Sequence, residues 1–490
     1  MHSHKTTSLG CGSLPRRDFL KAMGVMTASA SLATNSLLAK NQFAAVPARQ
    51  KKIAHIKGVF IYPATSILEA EGYYSWPGSS FDAEGRQRQY VTKLNEIASK
   101  LKINIEMNNS PLNTAEDTSL FIDQIKQSQP DGLLLIPFKK GHWSQVIRII
   151  EETKIPSLIL ATLGILLLPT IREIYLKAGV YLINSADNLD AVVDGLKMIK
   201  VARWMKDARI VNIDGSELLE AYVPHVDTQV RTVPHQLFYE HFNKTKLTDE
   251  VKTLANTYLK QAKEIVEPTE TDIVEAAKTY FVLKEILTSQ KGDALMMNCL
   301  PGLKKPHQHV PPCLGYMSLR DEGMAMGCES DLDATLTMML QQQLFDRPAF
   351  QHNPSADTER NLYFGAHCTS ASKMAGFGEL AEPMIIRSHA EAGWGAVPRI
   401  LFKQGQEITI AKFLSPKKPE DKPQMLIYSG QIVDCPTTPP TGGCRTNMLA
   451  TINELDKVTE LKGLHLCMIY GNYAKQLRAF CQLQGIEVLA

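Results

Sequence analysis

The sequence predicts an α/β protein with two Rossmann-like units followed by a β-rich C-terminal domain folded as a small barrel. Three observations predict it. From Lys52 onward, short apolar runs alternate with amphipathic helical stretches, the rhythm of a parallel sheet covered on both faces. That rhythm starts again after residue 180. Beyond residue 384 it gives way to short alternating strands punctuated by glycine, as in small barrels. At 490 residues the chain has room for more than one domain.

Taken in order, IAHIKGVFIYP, INIEMN, PDGLLLIPF and IPSLILATL read as strands of the first unit. RQRQYVTKLNEIASKLK, AEDTSLFIDQIKQSQ and WSQVIRIIEETK lie between them with apolar residues at helical spacing. SLILATLGILLLP is too short to span a bilayer and reads as buried strand. VYLINSADN opens the second unit, which continues through a helix, LDAVVDGLKMIKVARWMK, to the strand ARIVNIDG. Residues 241–289 read as a polar linker with helices, and GDALMMNCLP as a further buried strand. The expected divisions are 1–48, 49–180, 181–383 and 384–490.

A net charge of +2 with 44% hydrophobic residues describes an ordinary globular chain and gives no electrostatic case for nucleic acid. The sequence has neither GxGxxG nor a Walker A pattern, so no nucleotide site is read. Near the N-terminus, Arg16-Arg17 followed by Phe19, Leu20 and Lys21 resembles a twin-arginine export signal, ahead of an apolar, small-residue run over 22–39. The expectation is cleavage after Ala39 or Ala48, and delivery by the twin-arginine machinery to the periplasm or beyond. Of nine cysteines, the eight outside this segment fall between Cys299 and Cys481 without CxxC spacing, which argues against structural zinc. Cys435 and Cys444 flank CPTTPPTGGC, and in an oxidising compartment they either bridge or remain free thiols.

The chemistry concentrates between Cys313 and His367. Asp321 and Glu322 precede Glu329, Asp331 and Asp333, and an apolar period through Leu332, Leu336, Met339 and Leu340 predicts a helix starting near Glu329, with Ser330 able to cap it. Four residues apart, Glu329 and Asp333 would share a face. His352 and His367 follow. A carboxylate at a helix mouth with histidines on nearby loops suits either a divalent metal or acid/base work, although acids in a first turn commonly just complement the helix dipole. Met338 and Met339 read as core packing. Elsewhere Trp76, Phe81, Arg86 and His142 fall on loops after strands, where α/β domains place ligand groups, and Trp76-Pro77-Gly78 is either a sugar-stacking platform or a turn. His307 and His309 read as a solvated loop.

CLGYMSLRDEG, CESDLDATLTMML, PAF-x-x-N-P, FGAHCT, IRSHAEAGWG, GGCRT and HLCMIYGNYAKQLRAFCQLQGIEV occur in one order over residues 299–490. Together this region resembles the L-fucose isomerase and L-arabinose isomerase superfamily. The resemblance implies a ketol-isomerase that interconverts an aldose and a ketose through an enediolate, with a divalent metal, commonly Mn²⁺ (Mg²⁺ or Zn²⁺ otherwise), and a trimeric or hexameric homo-oligomer. It implies Glu329, His352 and His465 as metal ligands, Glu329 and His352 as the proton-handling groups, and His367, Asn353, Arg445, His389 and Trp76 as substrate contacts. His367 also matches a histidine that ligates metal in the arabinose branch. The chain departs from the pattern at His352, where relatives carry Asp or Glu. That position adds no negative charge, and Asp333 or Asp357 would have to compensate. The departure leaves room for a lyase or epimerase using the same enediolate, or for an exported sugar-binding protein without catalysis.

Overall fold

The computed structural model describes residues 49–71, 81–162, 165–186, 188–416, 418, 420–437 and 443–489. The export-signal reading and Trp76 lie outside these residues. Strands β1 (His55–Ile61), β2 (Asn104–Met107), β3 (Gly132–Pro137), β4 (Ser157–Thr162) and β5 (Val180–Ser185) make one parallel sheet ordered β2-β1-β3-β4-β5. Every residue of β3 (GLLLIP) is buried, as a central strand covered by helices on both faces requires. The covering helices start at defined caps. Asp82 accepts from the Gly85 amide, and Thr114 with Asp117 forms a reciprocal capping box. Strand β5, expected to open the second unit, instead completes the first sheet, paired with β4 from Ser157↔Val180 to Thr162↔Ser185. An apolar run shows that a strand is buried but not which neighbour buries it, and the short crossover helix Leu168–Tyr175 returns the chain beside β4.

Strands β6 (Arg209–Ile213), β7 (Leu219–Tyr222) and β8 (Gln229–Val233) begin a second sheet. Next, β9 (Ala262–Ile265) leaves for another sheet, and β10 (Ala294–Met297) and β11 (Ala325–Cys328) complete the order β11-β10-β6-β8-β7, parallel except for the edge strand β7. Residues 241–289 are no linker. The helix Glu270–Ser289 buries Ile273, Ala277, Val282, Leu283 and Ile286, and with them the polar Lys278 and Thr279. Thr279 Oγ1 donates to the Ala276 carbonyl, and Lys278 lies over the Phe242 ring. Polar side chains able to satisfy themselves locally made a core helix read as a surface one.

Six antiparallel strands then close a barrel: β12 (Phe350–Asp357), β13 (Leu362–His367), β16 (Glu407–Leu414), β17 (Gln424–Asp434), β18 (Thr446–Ile452) and β19 (Leu466–Tyr470). They run β16-β19-β12-β13-β18-β17, and β17 pairs back onto β16. Outside it, β14 (Met384–Arg387) pairs with β9 on one side and with β15 (Val397–Ile400) on the other. The barrel thus takes two strands from before residue 384. Alternation sorts its side chains. Phe350, Tyr363, Ile410, Tyr428, Met448 and Met468 from all six strands fill the interior, whereas Phe413, Ile427, Cys467 and Ile469 point outward into the core shared with the α/β part.

The chain ends on the helix Ala474–Gln484 and β20 (Glu487–Leu489), which joins β17 in parallel. From that helix Gln482 Nε2 donates to the carbonyls of Tyr175, Lys177 and Val180, and the Gly179 amide donates back to the Gln482 carbonyl. No helix among the described residues is long and apolar enough to cross a membrane.

Candidate metal centre

Three strand ends converge where the second sheet meets the barrel. Glu329 directly follows β11, His367 is the last residue of β13, and His465 directly precedes β19. Glu329 Oε1 lies 3.5 Å from His367 Nε2, and Glu329 Oε2 lies 3.6 Å from His465 Nε2. One ligand atom from each of the three falls within 4.8 Å of the others. Such a set, one carboxylate and two imidazoles, can hold a divalent cation.

The backbone reaches this arrangement at a cost. Glu329 and Ser330 adopt φ of +57° and +52°, and His465 adopts +52°. Left-handed backbone is disfavoured for residues with a Cβ and tends to cluster at functional sites. It also corrects the expected helix start. The helix spans Leu332–Phe345 with Asp331 as its N-cap, Oδ1 accepting from the Ala334 amide at 2.7 Å, while the buried Ser330 hydroxyl caps nothing. Glu329 therefore stands outside the helix. Asp333, inside it, shares no face with Glu329; it accepts from the backbone N–H and hydroxyl of Ser415, and burial raises its pKa.

Asp331 is the residue that the sequence reading missed. Its carboxylate accepts from His465 Nδ1 at 2.9 Å and from Lys412 Nζ at 2.8 Å to each oxygen. Since a carboxylate only accepts here, His465 carries a proton on Nδ1, and Nε2 is the ring atom turned toward Glu329. A carboxylate behind a metal histidine fixes ring and tautomer in this way. Burial works to raise the Asp331 pKa, but His465 and Lys412 hold it well below the ordinary carboxylate range. The available signal was Lys412, a lone cation in the apolar strand EITIAKFL, 4% exposed and in need of a buried anion.

His367 is 2% exposed and approaches Glu329 and the Cys328 thiol without a well-formed hydrogen bond from either ring nitrogen. Burial disfavours its charge, yet the negative charge available on Cys328 and Glu329 overrides this and pushes its pKa up to about 10. Reciprocally, His367 holds Glu329 below its usual value against the effect of burial. Such a raised pKa favours a protonated His367, and a cation bound by this ring would have to displace that proton. Arg320, fully buried, braces the neighbourhood by donating to the carbonyls of Met326 and Thr369.

The remaining expected residues divide. His352 is not among the three clustered ligands. It follows Phe350 by two on β12 and so shares its barrel-interior face, its ring stacked on Phe350 and lying over Gly365, where a Cβ would meet it at 2.6 Å. Its Nδ1–H donates to the Phe350 carbonyl, which leaves the Nε2 lone pair buried and unpartnered. Burial pulls its pKa down to about 3, so it is neutral. Asn353 points to the opposite face of the same strand. His389 is buried, accepts from the Ala392 amide on Nδ1, and has its pKa lowered to about 4 by burial. Arg445 is committed to Ser388, donating to its carbonyl and hydroxyl, with Glu267 at 3.8 Å; this is an ion-pair network rather than a free cation. Asp357 pairs with Arg360 at the far end of β12, and Glu322 with Lys284. Asp321 accepts from Ser372 and Lys373. His309, expected in a solvated loop, is buried against Phe238, while His307 is exposed beside Trp394.

The chain matches no known family model and no curated protein.

Proposed function

We propose that the chain is a metal-dependent aldose–ketose isomerase with an architecture like that of the fucose and arabinose isomerases, two Rossmann-like units and a C-terminal barrel. The observation that carries this reading is the convergence of Glu329, His367 and His465, two of them on left-handed backbone, at the mouth between sheet and barrel. The donor set fits a divalent cation, because His367 is deeply buried with neither ring nitrogen well partnered, and Asp331 holds His465 by Nδ1 with Nε2 turned toward Glu329. A bound cation, Mn²⁺ being the first choice and Mg²⁺ or Zn²⁺ the alternatives, would supply positive charge where two adjacent sugar oxygens become negative during enolisation.

The chain's own groups divide the rest of the work. Glu329, 30% exposed and ionised, is the group placed to take and return the proton that moves between C1 and C2. His352, with its pKa near 3, is a poor proton carrier at neutral pH; its fixed Nε2 lone pair suits accepting a hydrogen bond from a sugar hydroxyl. His389 and Asn353 are proposed as further hydroxyl contacts. Export by the twin-arginine route and assembly into a homo-oligomer belong to the same proposal. Export in the folded state would let the metal be loaded inside the cell, away from competing Zn²⁺ and Cu²⁺.

A non-catalytic sugar-binding protein is favoured by one feature, the neutral His352 where the resemblance calls for a second carboxylate. Incubating the mature protein with Mn²⁺ and a panel of aldoses decides between them. Ketose formation supports the isomerase; saturable binding without turnover across the panel supports the binding protein and defeats the first reading.

A further inference from the structure

We propose that Cys368 and Cys444 form a reversible disulfide that staples the rim of the barrel beside His367. Their sulfurs lie 3.8 Å apart, in van der Waals contact, with Cys313 and Val397 packed around them. The strands bring them together. β13 and β18 are antiparallel with His367 opposite Thr446, so the chain leaves β13 through Cys368 just where it enters β18 through Cys444 and Arg445. Bond formation requires the two sulfurs to close from 3.8 Å to about 2.05 Å, a movement that rotation of the two short side chains can supply.

The pairing differs from the one that sequence proximity suggests. Cys435, nine positions before Cys444 in the sequence, turns its thiol to the Phe402 carbonyl. Access is asymmetric as well. Cys368 is 9% exposed, whereas Cys444 is partly open to solvent. An attacking small disulfide would therefore meet Cys444 first, and Cys368 would resolve the adduct.

Oxidised glutathione gives a balanced route. The Cys444 thiol loses its proton and attacks one glutathione sulfur, breaking that S–S bond and releasing one glutathione, which takes up the proton. Cys368 then loses its proton and attacks Cys444 Sγ in the mixed disulfide, releasing the second glutathione. Two thiols and one glutathione disulfide become one protein disulfide and two glutathione thiols, with two electrons passing to glutathione. The product closes a loop of 76 residues and ties the end of the His367 strand to the segment bearing Arg445.

The test uses the full chain, incubated with oxidised glutathione, digested without reduction and mapped by mass spectrometry. A Cys368–Cys444 cross-linked peptide is expected, with a melting temperature several degrees above that of the reduced protein and reversal by a dithiol. Cys444→Ser is expected to lose both the cross-link and the thermal shift, and Cys435→Ser to keep both. A Cys435–Cys444 peptide, or Cys444 remaining fully alkylatable after oxidation, overturns the proposal. None of these readouts depends on metal or activity, so the disulfide stands or falls apart from the isomerase reading.

Discussion

The two five-stranded sheets, one parallel and one parallel but for its edge strand β7, end differently. At the C-terminal edge of the first, two polar side-chain pairs form. The Tyr62 hydroxyl, just past β1, donates to Gln87 Oε1 at 2.7 Å, and His142, past β3, shares Nε2 with Asn113 Oδ1 at 3.0 Å. At the same edge of the second sheet, β11 runs into the barrel, and its next residue, Glu329, meets two histidines contributed by barrel strands. Both edges lie where α/β sheets tend to bind ligands. The difference shows that the edge supplies only a location. The chemistry arises from what the neighbouring domain pushes against it, which is why Glu329 and His465 hold left-handed backbone while nothing comparable marks Tyr62 or Asn113.

The sharpest way to break this contrast is Glu329→Gln. It keeps size and removes charge, and the expectation is loss of bound metal, or a fall in turnover on the order of 10²-fold or more. If Glu329 only complemented the nearby helix, the cost would instead be about 0.3–1 kcal/mol of stability with metal content intact. Metal analysis, rate and melting temperature on one variant separate the two outcomes. Asp331→Asn comes next. Asn still caps the helix but no longer fixes the His465 tautomer, and it leaves Lys412 without its anion. Metal affinity is expected to drop roughly 10- to 100-fold, and chemical denaturation should show a substantial stability loss, since an unpaired buried charge costs on the order of 3 kcal/mol. Unchanged metal affinity would remove Asp331 from the site.

Much of the fold was legible and less of the site, for physical reasons that these residues illustrate. Buried parallel strands read as unbroken apolar runs, so the strands of the first sheet were visible in the sequence. The assignment of β5 and the early barrel strands β12 and β13 was not, because sheet membership is decided by distant partners. Glu329 and His465 were reachable through the family resemblance. The resemblance also put His352 among the metal ligands and gave His367 two readings, a substrate contact or the metal ligand of the arabinose branch. The register of the strands brings His367 to Glu329, while His352 turns its ring over Gly365 inside the barrel. Asp331 passed as one of several first-turn acids, and no periodicity could have paired it with a lysine 81 positions away.

A pH titration of stability sharpens the comparison further. His309 and His389, near 4, and His352, near 3, are buried in neutral form, all three outside the first sheet. In the unfolded chain they would take protons below about 6.5. Between that value and their folded pKa values the unfolded state binds more protons, so stability falls as pH is lowered, by on the order of 2 kcal/mol per histidine at pH 5. Denaturation midpoints measured from pH 7 to pH 5 should fall steadily, and His352→Gln should flatten part of the slope. His367 contributes with the opposite sign. Its raised pKa, about 10, gives stability that is present in full below about 6.5 and is lost as pH climbs through 10. The smallest effect is expected in the first sheet. His142→Ala should leave metal content untouched and alter only thermal stability, by roughly 1 kcal/mol for one lost hydrogen bond. A clear loss of metal in that variant would mean that the two sheet edges are not the independent regions described.

The grip of Gln482 on the carbonyls of Tyr175, Lys177 and Val180 has a consequence for how the molecule is made. These contacts join residues 302 to 307 positions apart, and β20 then zips onto β17. A ribosome working at about 5–20 residues per second would release the first sheet long before its clasp exists. The first α/β unit therefore waits with the loops around β5 unfastened until residues 474–489 emerge and close the clasp. A nascent chain halted before residue 474 should show the β5 region open to protease and hydrogen exchange, and a chain that includes residues 474–489 should show it closed.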